Sequence, residues 1–370
     1  MKKIGVLTSS RADYGIYKPL LHVLSKDPKV MLKLIVFGSH LLSKAKNNSL
    51  DEILKDNYGE MTKVHGIANT NSPQEIVNSY GKCIMNFSKF WSKNSFDLVI
   101  AMGDRFEMSS VIQSTIPFEI KVAHIHGGET TIGAIDNIYR HQISLTSKLH
   151  FVSTEKYKNR LVEILGSKKN IYNFGALSIS DLEIKKLKPW EKVCTEFKIP
   201  NKPFILVTFH PETVNFKNIP QHIIELEKVF EKLYPDYNLI ITGVNQDTNN
   251  KLFYDFYKKV KLKASHKIFL VESFGKKNYF SALKNCLFLL GNSSSGIIEA
   301  ASFQKYVINV GTRQKGRIMG ENIINVNYNT KEILDSIKIL KSKINKLNIS
   351  NIYYKSNTSE EIYKVIKKEI

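Results

Sequence analysis

Short apolar runs of strand length alternate with longer helical patterns along almost the whole chain. This alternation is typical of β-α-β units, in which helices join parallel strands. The runs are KIGVLT, KLIVFG, DLVIAMG, KVAHIH and LHFVS in the first half, and PFILVTF, NLIITG, KIFLV, CLFLLG and YVINVG in the second. Because the halves share this organisation but no sequence period, the pattern predicts two α/β domains of similar architecture rather than a solenoid.

The chain length also fits two domains, because 370 residues are long for one hydrophobic core. After about residue 176 the strong periodicity is lost and lysine and proline become frequent, so we place the passage between the domains there. The predicted boundaries are 1–176 for an N-terminal Rossmann-like domain, 177–353 for a C-terminal Rossmann-like domain, and 354–370 for a final helix. We expect that helix to pack back on the N-terminal domain.

Composition narrows the class of protein. The apolar runs are far shorter than the roughly 20 residues that a membrane helix needs, and Cys83, Cys194 and Cys286 are too widely separated for a disulfide framework or a structural zinc site. The net charge of +20 raises nucleic acid or an acidic membrane as partners, but most basic residues are lysines spread over helical stretches. We therefore expect a soluble, cytoplasmic protein that binds neither nucleic acid nor membrane.

Polar residues concentrate in the loops that follow the predicted strands. Ligands of doubly wound sheets bind outside the carboxyl ends of the strands, and two such domains facing each other would surround one central cleft. The loops are, in chain order, TSSRADYG, GDRFE, HGGETTIGAIDN, HPET, GVNQD, GNSSSG and GTRQKGR.

The loop GNSSSG at residues 291–296 is predicted to cradle a phosphate, because small residues at a helix start let an anion approach unpaired backbone N–H groups. It lacks the lysine of a P-loop, so hydrolysis of a Mg²⁺-nucleotide is not indicated. Arg11, Arg105 and Arg313 would supply positive charge from other loops, and Glu299 would accept hydrogen bonds from a ribose diol. The alternative is that Ser293 to Ser295 merely cap a helix.

The segment HIHGGE carries two histidines that a strand would place on one face, which raises a metal pair. No third ligand is placed by the spacing, so we expect no metal at His124 and His126.

Acidic residues near this segment indicate proton transfer on an anionic substrate. Glu129 and Asp136 follow the two glycines, and Asp104 follows an earlier strand. Two ordinary alternatives remain open: Asp104 as a helix N-cap, and Asp136 paired with Arg140 on a helix surface.

The chain resembles the hydrolysing UDP-N-acetylglucosamine 2-epimerases from about residue 3 to about residue 327. Seven motifs occur in the same order as in that family: SRADYG, GDRFE, HIHGGE, GAIDNIYRH, FHPET, GNSSSGIIE and GTRQKGR. The resemblance is closest to the sialic-acid-pathway branch known as NeuC. It implies a GT-B-type fold, release of UDP with formation of N-acetylmannosamine, no cofactor, no metal, and a homo-oligomer, either dimer or tetramer. By position, the residues that match the family's nucleotide contacts are Arg11, Arg105, His210, Asn245, Phe274, Ser293, Ser294, Glu299 and Arg313.

The resemblance also implies catalytic roles. Asp104 and Asp136 match the family's catalytic carboxylates, while His126 stands where many relatives carry glutamate, so either His126 or Glu129 fills that acid/base position. Such enzymes remove the proton at C2 while UDP departs, and then hydrate the resulting glycal, which requires acid/base groups on two faces of the sugar. His210 would protonate or hydrogen-bond the leaving phosphate.

Other functions remain compatible with parts of the pattern. A GT-B glycosyltransferase would share the fold and the phosphate cradle, and a nucleic-acid binder would explain only the charge. The sugar could also be a diacetamido derivative, or the nucleotide GDP.

Overall fold

A computed structural model of the chain describes residues 1–42, 49–67, 72–132, 135–180, 182–212, 216–243, 250–343 and 348–370. The chain forms two compact units. Unit 1 comprises Met1–Glu129, Asp136–Asp181 and Tyr353–Ile370. Unit 2 comprises Thr130–Ile135 and Leu182–Ile352.

Unit 1 is built on a parallel sheet of seven strands in the order β3-β2-β1-β4-β5-β6-β7. The strands are β1 (Lys2–Thr8), β2 (Val30–Val36), β3 (Glu60–Lys63), β4 (Leu98–Met102), β5 (Val122–Ile125), β6 (Leu149–Val152) and β7 (Ile171–Asn173). The helices between them are α1 (Arg11–Ser25), α2 (Ser49–Asp56), α3 (Pro73–Trp91), α4 (Phe106–Gln113), α5 (Asp136–Thr146) and α6 (Glu155–Leu165).

Unit 2 is built on a parallel sheet of six strands in the order β10-β9-β8-β11-β12-β13. The strands are β8 (Phe204–Thr208), β9 (Asn238–Thr242), β10 (Ile268–Val271), β11 (Leu289–Gly291), β12 (Val307–Val310) and β13 (Ile323–Val326). The helices of this unit are α7 (Trp190–Phe197), α8 (Ile219–Leu233), α9 (Asn250–Lys263), α10 (Gly275–Asn285), α11 (Ser294–Ile298) and α12 (Thr330–Lys341). The predicted pair of Rossmann-like sheets is thus confirmed.

None of the helices in the described part of the chain combines the length and the apolar character needed to cross a bilayer.

Burial on both faces explains which strands the sequence revealed. Every residue of β4, β8 and β9 is buried, and strands covered on both faces read as continuous apolar runs. The three strands that the pattern missed, β3, β7 and β13, lie at sheet edges and are partly exposed. An edge strand packs on fewer neighbours, so a sequence such as EMTK in β3 suffices there.

In each sheet, successive strands of the chain are first added on one side and then, after one turning point in the strand order, on the other side. In unit 1 the strand order turns between β1 and β4, where Ile4 pairs with Leu98, and in unit 2 it turns between β8 and β11, where Leu289 pairs with Leu206. The connections leave these neighbouring strands in opposite directions, so a crevice opens beyond their carboxyl ends. The loops after β1, β4, β8 and β11 therefore line the ligand-binding positions that this topology creates.

The last helix, α13 (Thr358–Glu369), belongs to unit 1. Ile362 and Ile366 are buried in the same apolar cluster as residues of α1 and β1. The Tyr363 hydroxyl donates to Asp27, and the Thr358 hydroxyl donates to the Phe174 carbonyl at 2.6 Å. The C-terminal segment therefore completes the hydrophobic core of the unit in which the chain begins.

We expect Ile366→Ala to lower the free energy of unfolding of unit 1 by about 2–4 kcal/mol, the usual cost of a cavity at a fully buried isoleucine. Urea unfolding would be followed by Trp91, the unit 1 tryptophan, in a Trp190→Phe background that silences unit 2. The control is Ile116→Ala, because Ile116 is 53% exposed in the same unit and should change stability by less than about 0.5 kcal/mol. Equal effects of the two substitutions would contradict this packing.

Candidate active site

The loop after β1 is fixed by a buried carboxylate. Asp13 accepts hydrogen bonds from the Ser9 amide at 2.9 Å, the Ser9 hydroxyl at 2.8 Å and the Ser10 amide at 3.1 Å. Ser10 caps α1 in return, forming a capping box with Asp13. Arg11 is thereby held at the first position of α1 with its side chain exposed. The spacing of Ser10 and Asp13 is typical of a capping box, but of the residues in this loop only Arg11 was predicted as a site residue.

The loop after β4 holds two ion pairs. Asp104 pairs with Nη2 of Arg140, whose guanidinium is almost completely buried, and Arg105 donates from Nε to Oε1 of Glu107 at 2.6 Å. Within the described residues, Nε and Nη1 of Arg140 have no hydrogen-bond partner. Both ordinary alternatives fail here, since Arg105 rather than Asp104 is the N-cap of α4, and Arg140 is not part of a helix surface. The sequence analysis did not identify Glu107.

His124 is a structural residue. Its two ring nitrogens lie 3.0 Å from the Ser144 hydroxyl and 2.9 Å from the Gly103 carbonyl. Burial lowers its pKa to about 3; the hydrogen bond to the Gly103 carbonyl opposes this shift, and His150 and Arg140 add smaller lowering contributions. The imidazole is therefore neutral near pH 7 and joins the loop after β4 to α5.

The expectation that His124 and His126 share one face of a strand is wrong. Strand β5 ends at Ile125, and His126 has a left-handed backbone with φ of 65°. Among the residues that the structure describes, no group of three or more His, Cys, Asp or Glu side chains is placed to hold a metal ion.

His126 and Glu129 form one hydrogen-bonded pair. Nδ1 of His126 lies 2.8 Å from Oε1 of Glu129, and both side chains are buried. Gly128 makes the required reversal possible, because its φ is 75° and a Cβ there would lie 2.4 Å from the Tyr157 carbonyl oxygen. The sequence analysis treated the two residues as alternatives, whereas the structure brings them together. Asp136 is partly exposed at the start of α5, where the helix dipole favours a negative charge.

In unit 2, Asn292 connects the loops that follow three strands. Its side-chain amide clamps the backbone of His210, accepting from the amide at 2.7 Å and donating to the carbonyl at 2.8 Å. The backbone carbonyl of Asn292 accepts from Nη1 of Arg313 at 3.2 Å and from the side-chain Nε2 of Gln314 at 2.9 Å. Asn292 is completely buried, and it therefore sets the positions of His210 and Arg313 together.

Glu212 fixes the loop after β12 in a similar way. Its carboxylate accepts from the Thr312 amide at 2.6 Å, the Thr312 hydroxyl at 2.9 Å and the Arg313 amide at 3.2 Å. The sequence analysis did not select Glu212 or Asn292, although both lie inside the motifs HPET and GNSSSG that it quoted.

Gly291, the first residue of the GNSSSG loop, lies close to the backbone of β8. A Cβ at Gly291 would lie 1.9 Å from the Thr208 carbonyl oxygen, so only glycine fits at this position. Ser293 caps α11 by accepting from the Ser295 amide at 3.3 Å, as the helix-cap alternative proposed, and Ser294 is the first residue of that helix. The helix is five residues long. The cap and the phosphate cradle are compatible, because the cap uses one of the unpaired N–H groups of the first turn.

The other predicted nucleotide contacts are distributed unevenly. Glu299 lies directly after α11, at the end of that short helix. Phe274 is buried at the start of α10, with its ring centroid 4.7 Å from that of Phe197. Asn245 lies outside the described residues.

Taken together, the groups after β4 and β5 of unit 1 can move protons, and those after β8, β11 and β12 of unit 2 can hold an anion. The family model described as UDP-N-acetylglucosamine 2-epimerase matches residues 22–367. The chain belongs to this family. Among its relatives, the polysialic acid biosynthesis protein P7 of Escherichia coli is 33% identical over 99% of this chain and 94% of its own length. The GDP/UDP-N,N'-diacetylbacillosamine 2-epimerase (hydrolyzing) of Campylobacter jejuni is 35% identical over 89% of this chain and 85% of its own.

A solved epimerase structure shares the fold. The UDP-GlcNAc 2-epimerase of Methanocaldococcus jannaschii, in complex with UDP-GlcNAc and UDP, superposes with a TM-score of 0.81 over 99% of each chain at 20% identity. The resemblance stated from the motifs is therefore confirmed at the level of family, as is the GT-B-like fold with its two Rossmann-like domains.

Because His124 has its pKa lowered from 6.5 to about 3, its unfolded form binds a proton below about pH 6.5 that the folded form refuses. The stability of unit 1 should be complete above that pH and fall as the pH drops toward about 4, by about 1.4 kcal/mol per pH unit for each such histidine. His150, with a pKa lowered to about 4 by burial, contributes in the same direction.

We therefore expect His124→Gln to reduce the slope of unfolding free energy against pH between about pH 4 and 6 without abolishing it. Urea titrations with the Trp91 reporter measure that slope. His22→Gln is the control, because His22 is exposed on α1 and should leave the slope unchanged. A wild-type stability that is flat across this range would show that His124 becomes protonated in the folded protein.

Proposed function

We propose that the chain is a hydrolysing 2-epimerase that converts UDP-N-acetylglucosamine and water into N-acetylmannosamine and UDP for sialic-acid-type sugar biosynthesis. The observation that carries the proposal is the position of the polar groups. In unit 1 the candidate acid/base residues follow β4 and β5, and in unit 2 the candidate phosphate donors follow β8, β11 and β12. A nucleotide sugar whose C2 proton is exchanged needs both sets of groups.

The diphosphate would bind to unit 2. The backbone N–H groups at Ser293 and Ser294, the His210 side chain and the Arg313 guanidinium are the donors for its oxygens, with Arg11 and Arg105 adding positive charge from unit 1. Because Asn292 and Glu212 fix these loops by hydrogen bonds within the protein, the donors are oriented before the ligand arrives. Glu299 would accept hydrogen bonds from the ribose, and Phe274 and Asn245 would complete the contacts with the nucleotide.

The chemistry follows from the structure of the substrate. The anomeric carbon of a nucleotide sugar is tied to phosphate, so the proton at C2 is not activated by a carbonyl group and simple enolisation is not available. Elimination avoids this problem: a base takes the C2 proton as UDP departs, which leaves a glycal. Water then adds to C1 while an acid protonates C2 from the other face. Asp104, Asp136 and the pair His126–Glu129 supply these acid/base groups, and no redox cofactor is needed.

The identity of the sugar is the part of the proposal that needs a direct measurement. The relatives at similar identity carry names that refer to polysialic acid in one case and to diacetylbacillosamine in the other. UDP-N-acetylglucosamine should therefore be compared with a UDP- or GDP-linked diacetamido sugar under the same conditions.

We expect the purified protein to release UDP and N-acetylmannosamine from UDP-N-acetylglucosamine without any acceptor, and the sugar formed in D₂O should carry deuterium at C2. Mass spectrometry and proton NMR of the released sugar measure both. A glycosyltransferase or a simple glycosidase would leave C2 undeuterated, and either result would refute the proposed mechanism. Preferential release of a 2-epimerised diacetamido sugar would keep the mechanism and change the substrate.

Arg313→Ala should weaken UDP binding about 10- to 100-fold, the scale of a lost charge-assisted hydrogen bond. Arg313→Lys should give an intermediate loss, because lysine keeps the charge but not the planar donors. Isothermal titration calorimetry with UDP measures the affinity, and thermal unfolding checks the fold of each variant. The control is Lys315→Ala, which removes an exposed cation from the same loop. Equal losses for both alanine variants would show that the loop acts only through its net charge.

A further inference from the structure

The side-chain nitrogens of His126 are in unequal surroundings. Nδ1 is bonded to Glu129, whereas Nε2 is buried and has no hydrogen-bond partner among the described residues. An ionised carboxylate can only accept, so Nδ1 carries the proton of the neutral ring and Nε2 carries the lone pair. A buried imidazole held in this tautomer is prepared to act as a base at Nε2.

Glu129 is itself held in place. Its Oε1 accepts from the Ser153 hydroxyl at 3.1 Å as well as from His126, and the side chain is almost completely buried. Ser153 directly follows β6, so the loop after this strand supports the loop after β5. Hydrogen bonds thus connect the Ser153 hydroxyl through Glu129 to the His126 ring, whose Nε2 has no hydrogen-bond partner among the described residues.

The other basic groups nearby cannot take the same role. Both ring nitrogens of His124 are engaged, and Arg140, which is paired with Asp104, remains a cation. His150 lies inside β6, beside His124 in the ladder, and burial lowers its pKa to about 4.

We propose that His126 and Glu129 act as one unit, in which Nε2 of His126 removes the C2 proton of the sugar and Glu129 is a positioning residue held by Ser153. This inference rests on the proposed function and assigns its first proton transfer. Instead of giving the acid/base position to either His126 or Glu129, it assigns the proton transfer to His126 and its positioning to Glu129.

The step balances as follows. Nε2 takes the C2 proton, the electron pair of the C2–H bond forms the C1=C2 double bond, and the C1–O pair leaves on the β-phosphate of UDP. The resulting imidazolium is stabilised by the Glu129 carboxylate at Nδ1 until its proton passes to solvent. Water then gives its hydroxyl to C1 while the protonated Asp136 delivers a proton to C2 from the opposite face, and the remaining proton of the water restores that acid.

A double-mutant cycle tests the coupling, with UDP release in a single turnover as the measurement because it isolates the elimination. His126→Gln and Glu129→Gln should each slow UDP release by about 10²-fold or more. If Glu129 acts only through His126, the variant with both changes should be no slower than His126→Gln alone, within about 3-fold. Independent roles would instead give the product of the two losses, about 10⁴-fold, and would overturn the proposal.

Ser153→Ala provides a milder probe in case a change at buried Glu129 disturbs folding. It should slow UDP release about 3- to 10-fold in the wild-type background and by less than about 2-fold in the His126→Gln background. KM and the affinity for UDP should stay within about 2-fold in all of these variants, and thermal unfolding should confirm that they are folded. A parallel rise in KM and loss of thermal stability would indicate a purely structural role for Glu129 and Ser153.

Failure of the assignment can be told apart from failure of the proposed function. The cycle is run on whichever nucleotide sugar the wild-type protein epimerises, so additive losses in an active enzyme refute only the unit of His126 and Glu129. Unchanged UDP release together with accumulation of the glycal in His126→Gln would show that His126 acts in the second step, and would also overturn the assignment. If the wild-type protein releases UDP from none of the sugars tested, both proposals fail.

Discussion

Parallel pairing of β1 with β4, and of β8 with β11, is the constraint on which the rest of the structure depends. The connections from these neighbouring strands run to opposite sides, so a crevice opens beyond their carboxyl ends. Asp104 and Arg105 follow β4 at this place in unit 1, and His210 and the GNSSSG loop follow β8 and β11 at this place in unit 2. The same arrangement occurs in two units of unrelated sequence, which shows that the topology, rather than any one motif, creates the positions where chemistry can take place.

Buried polar side chains give these loops their shape. Asp13, Glu129, Glu212 and Asn292 are all buried, and each makes two or more hydrogen bonds within its own unit. Burying a polar group is costly unless its hydrogen bonds are satisfied, so each of these side chains favours one loop conformation strongly over others. Arg11, His210 and Arg313 are thereby positioned by buried side chains of their own unit.

His124 and His126 lie two residues apart, but they have different roles because their surroundings differ. His124 is inside the sheet, where both ring nitrogens are bonded and burial keeps it neutral. Two residues later, the strand has ended and the left-handed backbone of His126 turns its ring toward Glu129. A single change in backbone conformation at the end of β5 therefore separates a structural imidazole from one whose Nε2 remains available.

The sequence by itself determined the two α/β domains, the family and the loops that carry the functional groups, because strands buried on both faces must be apolar and the polar residues between them stand out. It did not reveal the edge strands β3, β7 and β13, which are short and partly exposed. Only the tertiary structure decided the partners: Arg140 pairs with Asp104 rather than lying on a helix surface, and His126 joins Glu129 through a reversal at Gly128. These pairings depend on backbone direction and on contacts between segments distant in the chain, and residue type and spacing do not encode either.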